Sequence, residues 1–311
     1  MPSYHFRFRP VQGRGSPKKY WHYLWGYLLP SISKLIKKDL VNGQTQPPVF
    51  DSHGPIMDGV LRDYMSILNL EYRVLLPEER ISGGQVIEHF ASRWDVLQFS
   101  MMWPYLKQLP VWPEPSRQQR WRTGVQVLRQ RKFQALFSGI ASKQLRNDFV
   151  ELKHVILRAI DQKGQRSNLN SPLLILDRST TANESSDQNC RFTREYGTAS
   201  RSLRGVDRTI KKLRVLGHEV DRFEAGAVSQ AEQISRFSTA RGVIAIRGSD
   251  LANMLWLQPG SKLIVLRPQK KLSTHLYGMA RLLRLDMHEF TCAEMHPDLM
   301  QFPIERHLKT P

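Results

Sequence analysis

From residue 172 onward, short apolar runs alternate with amphipathic segments of about ten residues, and no other feature restricts the fold of this chain so strongly. The order is strand PLLILD, a polar arginine-rich loop, helix DRTIKKLRVLG, strand HEVDRF, helix SQAEQISRFSTA, strand GVIAI, helix DLANMLWLQ and strand KLIVL. Strands interleaved with helices predict crossover units on a parallel sheet, and hence an α/β fold. In such a sheet, ligands sit at the carboxyl edge of the strands, where the helices begin. The Arg-Gly-Ser-Asp of residues 247–250 falls at one of these edges.

That turn has the composition of an anion cradle. Gly248 permits close backbone approach, Ser249 is the expected N-cap, and the next amides point unpaired N–H groups toward a guest favoured by the helix dipole. A pyrophosphate fits. Asp250 repels a phosphate beside it and suits a sugar hydroxyl instead. The sequence beyond is expected to run as a helix to Pro259-Gly260.

Upstream the pattern is less regular. Residues 20–38 read as an aromatic helix, VFDSHGPIMDG as a strand entering a turn, and residues 118 to about 158 as a basic amphipathic stretch. The polar segment 161–172, DQKGQRSNLNSP, is the expected linker, dividing the chain into lobes of residues 1–165 and 166–311. With 41% hydrophobic residues, each lobe can bury a core.

Cys190 and Cys292 are the only cysteines, too few for a disulfide framework or a cysteine zinc site. The aromatic-apolar stretch YWHYLWGYLLPSI carries His22 and Pro30 and is too short to span a bilayer. With no small-residue cleavage site after it, the expectation is a protein used on the cytosolic side. The formal net charge is +18, with eight Lys/Arg and no acid in residues 1–38 and again in residues 116–147. Such surfaces attract polyanions, phosphorylated ligands or an anionic membrane surface.

The segment AEQISRFSTARGVIAIRGSDLANMLWLQPGSKLIVLRP resembles the C-terminal signature of glycosyltransferase family 61, with Glu232, Gln233, Gly248, Leu251, Asn253, Pro259, Gly260 and Ser261 in register. LLILDRS and SRSLRGVDRTIKKLRVLGHEVDRFE are similar to the family's two arginine segments and place Arg178 and Arg201 at the arginine positions. KYWHYLWGYLLPSI is similar to its N-terminal aromatic helix, with His22 at the histidine. This sequence departs from the pattern at Gly26 for an acid, Gly205 for Asn, Arg247 for His and Asp250 for Gly.

The resemblance implies a GT-B architecture of two Rossmann-like lobes around a central cleft, the second holding a nucleotide sugar and the first presenting the acceptor. It further implies inverting transfer from a UDP-sugar, xylose or N-acetylglucosamine foremost, to a hydroxyl of a glycan or glycoprotein. This family includes the plant N-glycan xylosyltransferase and the extracellular O-linked N-acetylglucosaminyltransferases. Donor-binding candidates are Arg178, Arg201, Glu232, Gln233, Arg247, Gly248, Ser249, Asp250 and Asn253.

Inversion requires a base for the acceptor proton and cationic or amide groups for the departing diphosphate. Arg178, Arg201 and Arg247 answer the second need; His22, Asp51, His53 and Asp58 are the candidates for the first. No Asp-x-Asp occurs, the near variant Glu219-Val220-Asp221 lies in an expected strand, and the later histidines lack paired spacing. Metal-independent transfer without a cofactor is therefore expected. Two alternatives stand beside it: single-stranded nucleic-acid binding, from interleaved Trp/Tyr and basic residues, and a donor-binding homologue without turnover, from the four departures.

Overall fold

The computed structural model describes residues 4–9, 20–37, 46–79, 84–90, 139–164, 171–177, 202–268, 274–294 and 296–308. It divides into two compact units, Met1–Gln162 and Lys163–Pro311. The expected boundary at 165/166 lies outside the described residues.

In unit 1, β1 (Tyr4–Arg9), β2 (Val49–Asp51), β3 (Arg73–Leu75) and β4 (Gln85–Phe90) form a parallel sheet in the order β3-β2-β1-β4. β1 has no counterpart among the expectations above, although Tyr4, Phe6 and Phe8 alternate with His5 and Arg7 as a half-buried strand requires. The aromatic helix α1 spans residues 20–37 and is not uniform. It is α-helical over Tyr20–Tyr23, π-helical over Leu24–Leu28 and α-helical again over Leu29–Lys37. The π turn includes buried Gly26 and directs the Tyr27 hydroxyl to the Phe6 carbonyl at 2.8 Å.

The core of this unit is aromatic. Phe6 stacks on Phe50 at 5.0 Å, Tyr27 meets Phe50 edge-on, and Trp25 meets Phe149 at 5.5 Å. Phe149 belongs to α3 (Gly139–Gln162), the described part of the basic stretch expected from residue 118. After β2 the chain turns at Gly54 and enters α2 (Pro55–Leu68), with proline in the first turn, where its missing N–H is tolerated. α2 buries Met57, Leu61, Tyr64, Met65 and Leu68 and ends on Asn69 in the left-handed conformation.

Unit 2 is a five-stranded parallel sheet in the order β6-β5-β7-β8-β9, formed by β5 (Leu173–Leu176), β6 (Val220–Phe223), β7 (Gly242–Ile246), β8 (Lys262–Arg267) and β9 (Asp286–Thr291). All four pairings are parallel. Between the strands run α4 (Val206–Val215), α5 (Gln230–Thr239) and α6 (Thr274–Leu282). One sheet face packs Leu173, Ile175, Ile244, Ile246, Ile264 and Leu266 against α4 and the C-terminal segment carrying Leu299, Ile304 and Leu308. The alternate residues Leu174, Val243, Ala245, Leu263 and Val265 are equally buried, so both faces are covered, as a parallel sheet demands. Gly242 permits the closest strand approach: a Cβ there would lie 2.8 Å from the Lys262 carbonyl oxygen and 2.9 Å from Leu173.

The regular elements expected after residue 172 are present, with one correction. The segment after β7 is a 3-10 helix, Ser249–Trp256, not an α-helix. In a 3-10 coil residues i and i+3 align, which stacks Asp250, Asn253 and Trp256 on one line. Asn253 and Trp256 are completely buried, and Asn253 Nδ2 donates to Gln233 Oε1 on α5 at 2.8 Å. That bond ties the tight coil to its neighbour.

Candidate functional site

In unit 2, the strand order reverses between β5 and β7, and the carboxyl ends of strands at such a switch point are where open α/β sheets take ligands. β5 runs into Asp177, whose backbone N–H donates to the Phe223 carbonyl at 3.0 Å and whose buried carboxylate pairs with Arg222. β7 runs into Arg247, whose backbone N–H donates to the Leu266 carbonyl at 2.8 Å. Its side chain is half-buried.

The turn that follows differs from expectation. Gly248, not Ser249, is the N-cap residue, extended at φ −168°, and no side chain caps the helix. The first intrahelical bond is Leu251 N–H to Gly248 carbonyl at 3.3 Å. The amides of Gly248, Ser249 and Asp250 precede it, at the start of the helix directly after Arg247. Gly248 keeps small-residue access to the turn, but its conformation is one that any residue adopts.

The Glu-Gln pair of α5 divides in role. Ser229 caps α5, accepting from Glu232 N–H at 3.2 Å, and the Glu232 side chain is exposed. Gln233 is buried, donating to the Val228 carbonyl at 3.2 Å and accepting from Asn253. Gln233 and Asn253 therefore hold the start of α5 and the 3-10 helix together at the carboxyl edge of the sheet. Arg178 and Arg201 lie outside the described residues.

Sequence reasoning missed two further features of this edge. Arg267, at the end of β8, and Glu289, within β9, form a buried ion contact of 2.9 Å whose atoms are misaligned for a hydrogen bond, while Arg267 also donates to Thr291 Oγ1 at 2.9 Å. The other is a clamp between the residues after position 201 and the C-terminal segment. Ser202 Oγ meets His296 Nδ1 at 2.8 Å, Arg204 Nε donates to the His296 carbonyl at 2.7 Å, and Arg204 and Asp298 form a parallel bridge. Neither feature repeats a local motif that a sequence scan recognises.

Unit 1 carries its own cavity at the carboxyl edge of its sheet, about 450 Å³, bounded by Arg7 and Phe8 of β1, Asp51 to His53 after β2, and the chain after β3. Asp51 ends β2 with its main-chain N–H held by the Tyr27 hydroxyl at 2.9 Å. Its carboxylate accepts from the Phe8 N–H at 3.2 Å and meets His5 Nε2 at 2.8 Å. His53 is boxed by rings, edge-on to Tyr27 at 4.7 Å, Phe8 at 5.4 Å and Tyr23 at 5.6 Å. Burial raises the Tyr23 and Tyr27 hydroxyls well above the usual tyrosine value, so both stay neutral at any physiological pH.

The four base candidates thus separate. Asp51 and His53 line the cavity. Asp58 instead braces its own loop, accepting from Ser52 Oγ at 2.6 Å and His53 N–H at 3.0 Å. His22 is half-buried on α1 and does not line the cavity. Among the described residues, no group of three His, Cys, Asp or Glu is placed to hold a metal ion, and no helix is long and apolar enough to cross a membrane.

Comparison with known proteins matches residues 20–264 to a single family description, Glycosyltransferase 61. No curated protein matches the chain.

Proposed function

The chain belongs to glycosyltransferase family 61 and is a glycosyltransferase, and on that premise we propose that it transfers a sugar from a UDP-sugar, with inversion, to a hydroxyl of a glycan or glycoprotein. The observation that supports this reading is the reversal of strand order between β5 and β7, which lies inside the matched residues and has Arg247 directly after β7. In the GT-B division of labour, unit 2 takes the donor and unit 1 the acceptor. Xylose and N-acetylglucosamine are the leading sugars.

Asp51 is the proposed base. Its carboxylate takes the proton of the acceptor hydroxyl as that oxygen attacks the anomeric carbon from the face opposite the diphosphate. The bond from the anomeric carbon to the diphosphate oxygen breaks, and UDP leaves with the electron pair. Arg247, the amides of residues 248–250, Arg178 and Arg201 stabilise its charge. An arginine in place of the family's histidine keeps a permanent charge at that position. These cations support transfer without a metal, and the +18 charge supports work on the cytosolic side against an anionic membrane surface.

The departures at Gly26, Gly205, Arg247 and Asp250 favour a second reading, a homologue that binds donor without turnover. A thermal-shift panel of nucleoside diphosphates and UDP-sugars, followed by release of UDP, separates the two. Stabilisation by UDP with turnover supports the transferase, and stabilisation alone supports the inactive homologue. No shift with any nucleotide, together with a mobility shift of single-stranded oligonucleotide, would replace both with nucleic-acid binding.

A further inference from the structure

We infer that His5 is a positioning residue for the Asp51 carboxylate, an inference that rests on the reading of Asp51 as the base. His5 lies before the residues matched to the family and is not among the base candidates that the sequence supplies. β1 and β2 pair in parallel with Phe6 opposite Phe50. Side chains alternate across the sheet, so His5, one residue earlier on β1, and Asp51, one residue later on β2, share the opposite face. There the imidazole Nε2 stands 2.8 Å from Asp51 Oδ1. His5 is only 4% exposed, whereas the Asp51 side chain keeps 24% of its surface.

An ionised carboxylate accepts only, so the bond requires His5 to carry its proton on Nε2. With Phe8 N–H on Oδ2 and His5 on Oδ1, the plane of the carboxylate is fixed by one donor on each oxygen. Each oxygen retains a lone pair, and the exposed side of the group is the cavity side. Proton abstraction depends on that orientation, because a base must lie within hydrogen-bond reach of the proton it removes. A buried donor behind an exposed carboxylate is the arrangement by which the partner of a base sets its direction without touching substrate.

The test uses the full chain with UDP-xylose and UDP-N-acetylglucosamine, water serving as acceptor, and follows UDP release. His5→Leu is expected to lower kcat at least tenfold with little change in KM for the UDP-sugar. His5→Gln, which carries an N–H donor at the same reach, restores a substantial part. In the parental chain labelled with 15N-histidine, with His5 assigned by its loss in His5→Gln, the Nε2-protonated form is expected. A folded His5→Leu chain at the parental rate, equal loss in the Leu and Gln variants, or an unprotonated Nε2 overturns the positioning role while leaving Asp51 as base. If Asp51→Asn hydrolyses at the parental rate, or the parental chain turns over neither UDP-sugar, the base reading falls and this inference falls with it.

Discussion

Replacing Gly205 tests how the turn into α4 is held. Gly205 is the N-cap residue of α4 at φ +70°, and an added Cβ would lie 2.2 Å from Asp298 Oδ1, 3.1 Å from Asp298 Cγ and 3.3 Å from an Arg208 nitrogen. Two penalties follow for Gly205→Ala. The left-handed conformation costs a residue with a Cβ about 1–2 kcal/mol. The clash also drives the Asp298 side chain away, and with it go the bond accepted from Met300 N–H at 3.0 Å and the contact with Arg208 at 2.6 Å. The first is a helix cap worth about 1 kcal/mol. The second involves a largely exposed arginine and adds about 0.5 kcal/mol after solvent screening.

The expected loss is therefore about 3 kcal/mol for Gly205→Ala and about 1.5 kcal/mol for Asp298→Ala. The double variant should lose about 3 kcal/mol and no more, because the carboxylate that the Cβ displaces is already gone, a coupling of about 1.5 kcal/mol. Urea denaturation measures the totals, and hydrogen exchange over residues 202–210 and 296–304 locates the loss in unit 2. By the resemblance, the family carries asparagine at position 205. Asparagine tolerates the left-handed region but brings the same Cβ, so Gly205→Asn should also destabilise, and adding Asp298→Ala should deepen that loss no further. A Gly205→Ala chain that unfolds at the parental urea concentration, or losses that simply add, would refute the reasoning.

Asn253→Ala strands the buried Gln233 amide oxygen and should lower stability by about 2 kcal/mol, read as a falling urea midpoint; an unchanged midpoint removes the bracing role. Arg247→Ala should reduce UDP release about a hundredfold, close to 3 kcal/mol, with Arg247→His keeping part of the rate; parental turnover in the folded variant places diphosphate stabilisation elsewhere. Activity should persist in excess EDTA, and its abolition with recovery on adding manganese would refute metal-independent transfer. Burial, aided by His288 at 4.2 Å between ring centroids, lowers the His307 pKa below 6.5. The neutral form is favoured by folding, so the stability it contributes is present above pH 6.5 and lost as pH falls through the folded value. Denaturation midpoints between about pH 7.5 and 5 should fall less for His307→Phe than for the parental chain. An equal fall counts against His307.

The two units differ in how much of them is legible in the sequence. β5, β7 and β8 are buried on both faces, so they appear as unbroken apolar runs, and the helices between them have terminators such as Gly217 before β6 or Pro259-Gly260 before β8. β1 and β9 each intersperse polar residues, YHFRFR and DMHEFT, so neither yields an apolar run. The 3-10 coil after β7 is hidden for another reason. Its composition suits an α-helix, and the bond from Asn253 to Gln233, twenty residues away, is a tertiary contact that propensity does not contain.

The same distinction separates the acids of unit 1. Asp51 and Asp58 occur in one motif, VFDSHGPIMD, and the sequence gives no ground to rank them. Asp58 accepts from donors five and six residues back, bonds that any loop entering a helix can make for itself. Asp51 accepts from residues 43 and 46 positions away, on a strand whose only route to it is the parallel pairing of β1 with β2. A carboxylate spent on local donors organises its loop. One held by distant, buried donors with its remaining surface on a cavity is oriented by the whole sheet, and that orientation is what a base requires. If Asp58→Asn unfolds α2 while Asp51→Asn leaves a folded chain that no longer releases UDP, the two acids divide as their partners do; the reverse pattern would assign the base to Asp58.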